Sequence, residues 1–159
     1  MKPITPEGAF TRAAALCSRS EHAASDILAK LTAWGLPAMQ AQSIIDRLVD
    51  ENFINEERYA RAFTHDKHAY NGWGRIKIAY QLRAKGIQQS LIDEALATID
   101  QDSYLDTLHK LLRAKWREVS SREPQAARAA MLRFAASRGY EPSIIYDAVD
   151  TVISHAQDD

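Results

Sequence analysis

The chain has little of what small stapled or membrane proteins rely on. Among its 159 residues there is one cysteine, Cys17, so no internal disulfide can form and a reducing compartment is expected. Glycine (6) and proline (5) are scarce, and no persuasive strand pattern of β-branched residues is present. No apolar run approaches the ~20 residues that span a bilayer. The opening MKPITPEGAF lacks the apolar core of a secretory signal. A cytoplasmic location is the expectation. No glycine-rich phosphate loop, nucleophile elbow or HExxH motif occurs. His65 and His68 stand three apart with no third ligand at matching spacing, and Cys17 shares an apolar face with Phe10 and Ala14. No catalytic residue, metal site or cofactor is expected, and the chain does not read as an enzyme.

What remains is a helical composition rich in alanine and leucine. Net charge is −1, but the charges are segregated. Residues 55–90 carry 7 basic and 3 acidic side chains, and residues 101–139 carry 8 and 4. Residues 140–159 carry 0 and 5. The basic middle suits an acidic or polyanionic partner, although solvated helix faces would look the same.

Three glycines follow apolar helical runs, in ILAKLTAWGL, IAYQLRAKGI and MLRFAASRGY. Gly35, Gly86 and Gly139 are spaced by 51 and 53 residues, the period of a repeat. Eight residues before each stand Ile27, Ile78 and Met131; four before stand Leu31, Leu82 and Ala135. After the glycines, Ile44, Ile45 and Leu48 align with Ala95, Leu96 and Ile99, and with Ala148, Val149 and Val152. Each glycine thus closes one amphipathic helix, in a left-handed conformation, and opens another. Ser20, Asn71 and Pro124, fifteen residues before the glycines, predict the starts of the closed helices. A further helix precedes each. The expected fold is all-α: three tandem three-helix repeats, 5–50, 54–99 and 102–154, forming an elongated, curved array whose neighbours share apolar surface.

The middle repeat holds the most distinctive stretch, NGWGRIKIAYQLRAKGI. On a helical wheel Trp73, Ile76, Tyr80 and Ala84 make one face, and Ile78 and Leu82 lie roughly opposite. Arg75, Lys77, Arg83 and Lys85 fall between. The pattern predicts a helix clasped on two sides, with its cations reaching outward along their stems. Gly74 would let a neighbouring helix or a partner come close. Trp73 could stack on a base or anchor a partner, or pack at the helix start. Arg58, Arg61 and Lys67 extend the basic block upstream. The third-repeat cations Lys110, Arg113, Lys115 and Arg117 are spread around their helix and read as solvated.

The stretch GWGRIKIAYQLRAKGI resembles the central motif of the RecX family, small bacterial regulators of the RecA recombinase. CSRSEHAASDILAKLTAWGL resembles the family's first repeat, and LVDENFINEERYARAF its junction into the second. The likeness runs well over residues 10 to 99 and loosely over the third repeat. It implies a regulator that binds the RecA–DNA filament, lies in its helical groove and inhibits strand exchange, ATP hydrolysis and coprotease activity. That would place it in recombination, DNA repair and the SOS response. Contact residues would be Arg58, Arg61, Lys67, Trp73, Arg75, Lys77, Arg83 and Lys85. Many relatives are more basic, and the segment before Phe10 is short here. Partners expected on this basis are the RecA filament and, weakly, single- or double-stranded DNA, with a monomeric protein and no membrane. Two other readings stand beside it. One is a helix-turn-helix-like DNA-binding module, poorly matched by the acidic or neutral third helices. The other is a generic helical adaptor for a protein partner.

Overall fold

A computed structural model describes residues 4–158. Among these the regular elements are nine α-helices: α1 Pro6–Arg19, α2 Ala24–Ala33, α3 Ala38–Asp50, α4 Glu56–Asn71, α5 Arg75–Ala84, α6 Gln89–Leu96, α7 Gln101–Val119, α8 Pro124–Ser137 and α9 Pro142–Asp158. Several starts are set by local chemistry. Thr5 accepts a hydrogen bond from the Gly8 N–H with Pro6 next in line, and Asp100 does the same for Ser103 at the head of α7. Glu123 accepts from two backbone N–H groups in front of α8, where Pro124 opens the helix as expected.

The glycine register is a register of helix ends. Gly35, Gly86 and Gly139 have φ of 96°, 83° and 91°. Each closes its helix with the same pair of backbone bonds. The glycine N–H bonds a carbonyl three residues back, and the next N–H bonds one five back, as in Ile87 to Leu82 at 3.1 Å and Tyr140 to Ala135 at 3.3 Å. The residues after the glycines, Leu36, Ile87 and Tyr140, are buried. Asn52, the one non-glycine with positive φ among the described residues, closes α3 with the same bonding pattern.

The chain packs as two compact units. One joins the described residues up to Phe63 with Leu82–Ala95. Its core includes Phe10, Ala13 and Cys17 of α1, Ile27 and Leu31 of α2, and Ile44, Ile45 and Leu48 of α3. The other joins Thr64–Gln81 with the described residues from Leu96 onward. Its core is built from Tyr104, Leu108 and Leu112 of α7, Met131 and Ala135 of α8, and Val149 and Val152 of α9. Helices come in threes along the sequence, but α4 and α5 each contribute to both units.

Two helix starts differ from expectation. Ser20 ends α1 in extended backbone, and Asn71 is the last residue of α4. α2 and α5 begin four residues later than those positions, and α2 has no side-chain cap. For α5 the reason lies in what satisfies its first N–H groups.

Candidate functional site

The start of α5 is docked on the turn that closes α8. Gly74 N–H donates to the Arg138 carbonyl at 2.7 Å and Ile76 N–H to the Gly139 carbonyl at 2.9 Å. The N–H between them, on Arg75, donates to the Tyr104 hydroxyl at 2.9 Å. Orphan donors of one helix thus meet orphan acceptors of another, with the helix dipoles in favourable opposition. Such direct backbone bonding needs an approach only glycine permits. A Cβ on Gly74 would lie 2.4 Å from the Gly139 oxygen, and one on Gly139 would lie 2.3 Å from Lys77 Cβ. The awkward glycine at the helix start is therefore an intramolecular docking device.

A polar cluster locks this junction. Arg75 donates to Glu141 at 2.9 Å and to Gln101 at 2.8 Å, and its guanidinium lies 3.9 Å from the centre of the Tyr104 ring. Tyr104 donates its hydroxyl proton to Glu141. Burial and the bond to Glu141 push the Tyr104 phenol far above its ordinary range, so it stays protonated and serves as a donor. His68 stacks on the same ring, and its Nδ1 donates to the Trp73 carbonyl at 3.0 Å. Tyr140 donates to the Gly72 carbonyl at 3.0 Å.

Around this fixed core the surface is apolar and aromatic. Tyr70 is 80% exposed, Ile76 49% and Tyr80 66%. Among the described residues these are half of the six exposed large hydrophobic side chains, and they fall within one eleven-residue window. Ile76 and Tyr80 stand one turn apart on α5. Trp73, half-buried, receives two lysines: Lys67 Nζ at 5.0 Å and Lys77 Nζ at 4.7 Å from the ring centre. Cations held over an indole, with exposed aromatic side chains close by in sequence, make a surface suited to binding, since aromatic groups concentrate at interface hot spots.

The expectation of a helix clasped on two sides is corrected here. Ile78, Ala79 and Leu82 are buried, whereas Ile76 and Tyr80 of the opposite face are exposed. The outward reach expected of the α5 cations is corrected for Arg75 and Lys85, whereas Arg83 is exposed. Arg75 is pinned to Glu141 with its side chain 23% exposed, and Lys85 pairs with Asp26 at 2.8 Å. Arg58 pairs with Glu21, Arg61 with Glu57 at 3.0 Å, and Arg83 donates to Gln89 at 2.9 Å. Of the eight residues singled out from sequence, Lys67, Trp73 and Lys77 come together in one cluster. The helical wheel says nothing of Tyr70, and it sets Ile76 and Tyr80 on a clasped face because that face is at least as apolar as the buried one.

The family model described as RecX, second three-helix domain, matches residues 55–96, and that described as RecX, third three-helix domain, matches residues 102–149. The chain is 32% identical over 144 residues to the regulatory protein RecX of Pseudomonas savastanoi pv. phaseolicola (strain 1448A / Race 6), covering 89% of each protein. This chain belongs to the RecX family. The RecX of Mycobacterium sp. (strain KMS) is 30% identical over 152 residues, covering 93% of this chain and 83% of that protein. A crystal structure of a regulatory protein RecX matches with a TM-score of 0.84 at 22% identity, over 92% of this chain and 71% of that one. The crystal structure of RecX from Lactobacillus salivarius matches with a TM-score of 0.78 at 19% identity, over 94% and 95%. At those identities the likeness is one of fold, and it agrees with the all-α helical repeat read from the glycine register. A regulatory role follows from RecX membership. No helix of the described residues is long and apolar enough to cross a membrane.

Proposed function

We propose that the protein inhibits a RecA recombinase by binding the RecA–DNA filament, in its helical groove, and that Tyr70, Trp73, Ile76 and Tyr80 with Lys67 and Lys77 form the contact surface. Membership of a family of regulatory proteins supports the role. The observation that carries the assignment of the surface is the exposure of Tyr70, Ile76 and Tyr80, each within seven residues in sequence of a lysine-flanked Trp73, the last two on a docked helix. Rigid presentation lowers the ordering cost of binding. Arg75 and Lys85 take an internal role in this reading, holding elements in place. Arg58, Arg61 and Arg83 contribute positive field beside their own partners.

The net charge of −1 argues for weak, salt-sensitive binding to free DNA. The test is RecA ATPase on single-stranded DNA while the protein is titrated, together with binding to labelled duplex without RecA. Inhibition at concentrations where free DNA is unbound supports the proposal. Tight duplex binding at physiological salt with no effect on RecA would replace it with a direct DNA-binding module.

A further inference from the structure

A cavity of about 370 Å³ opens between α7 and α9, and its lining shares no residue with the surface described above. Its α7 wall carries His109, Arg113, Trp116 and Arg117, and its α9 wall includes Val152 and His155. In the sequence alone Arg113 and Arg117 look like ordinary solvated charges. Their spacing of four places them one turn apart on one face, and both line this cavity. Neither has a hydrogen-bond or ion-pair partner among the described residues, whereas Arg128 on α8 is held by Asp150 at 2.9 Å. Val152 is buried, and Trp116 is half-buried.

We propose that this cavity is a docking pocket for an acidic peptide segment, which would seat an apolar side chain against Trp116 and Val152 and place a neighbouring carboxylate on Arg113 and Arg117. The volume falls in the range of ordinary ligand pockets, roughly 300–1,000 Å³. Guanidinium groups suit carboxylates, which they can hold through two parallel hydrogen bonds. The surroundings favour a short acidic peptide over a nucleic-acid strand. A short peptide can confine its charge to the carboxylate held by the two arginines, whereas a polyphosphate strand carries a charge at every unit and, running on along α9, would meet the carboxylates of residues 140–159, a segment with no lysine or arginine.

The test uses the full chain and a fluorescein-labelled eight-residue peptide of alternating phenylalanine and aspartate, read by anisotropy. An alternating phenylalanine–lysine peptide and a twelve-nucleotide oligothymidylate are the comparison probes. The acidic peptide should bind saturably and the basic one should not. Arg113→Gln with Arg117→Gln should weaken binding at least tenfold, and the lysine pair should restore part of it. Ala156→Trp, which fills the cavity from its rim, should block binding without touching the arginines, with melting curves reporting the fold of every variant. Acidic-peptide binding that is absent, or unchanged in both the glutamine pair and Ala156→Trp, would overturn the proposal. So would oligothymidylate binding that is tighter than the peptide's and lost in the same variants.

Discussion

Single residues set the geometry of this protein, and two of its glycines do so for different reasons. Gly86 needs only its positive φ, since an added Cβ would meet nothing within 4 Å. Gly139 needs both the conformation and the space, because Lys77 lies against it. Gly86→Val should therefore cost about 1–3 kcal/mol through backbone strain. Gly139→Ala should cost about 1–3 kcal/mol more than Gly86→Ala, from overpacking on top of strain. Chemical denaturation of the variants measures both. Equal losses for the two alanine variants would show that the α5–turn contact yields without cost. The charges divide in the same way. Arg75→Glu sets a carboxylate against Glu141 and should cost about 2–3 kcal/mol, less than a fully buried pair because both partners are about a quarter exposed. Lys77→Glu keeps the Cβ that packs near Gly139 and loses only a cation over Trp73, about 0.5–1 kcal/mol. Melting curves for the two variants should separate clearly. The glycine register and its conformation were legible in the sequence, because positive φ leaves a compositional mark at a fixed spacing. The fate of Arg75 was not, because its partners Glu141 and Gln101 lie 66 and 26 residues away and no local pattern announces them.

At the scale of elements, two helix starts solve one problem with different chemistry. Both are docked at the residue before a registered glycine. α5 meets the Arg138 carbonyl through backbone, by way of Gly74. α2 has Ala23 at the position of Gly74, and the contact is made by a side chain: Ser25 donates to the Lys85 carbonyl at 2.7 Å, while Asp26 pairs with Lys85. The Asp26 hydrogen bond holds the Lys85 ammonium above its ordinary pKa. Reading the repeat from sequence aligned these positions without showing that they dock. It took Ser20 and Asn71 as helix caps because serine and asparagine commonly are. The real caps of α5 are two carbonyls and a hydroxyl supplied from distant segments, which leave no signal next to that helix, whereas the Ser25 hydroxyl of α2 caps the end of α5. The amphipathic stripes of α3 and α9 were legible, since one face of each is buried and the other solvated. α5 was misread because cations and exposed apolar groups alternate on it, so no single face stands out.

At the scale of the whole molecule, stability should fall as pH drops below neutrality, partly through α7. Burial, then the Arg113 charge and His155 of α9, lower the pKa of His109 from its ordinary value of 6.5, with Asp106 opposing. A histidine depressed in the folded state binds fewer protons than its unfolded counterpart. Its contribution is intact above about pH 6.5 and is lost as pH falls through the folded-state value. His109→Gln should flatten the decline in melting midpoint below pH 6.5, and an unchanged slope would place the effect on other groups. The central claim, however, concerns the surface around Trp73. Its most direct test is RecA ATPase on single-stranded DNA, titrated with wild type and with Ile76→Glu/Tyr80→Glu. Both side chains are exposed, so the variant should melt close to wild type, with changes of about 0.5 kcal/mol or less at each site. The account predicts at least a tenfold rise in the concentration that halves ATP hydrolysis. Equal potency of the two proteins would contradict it.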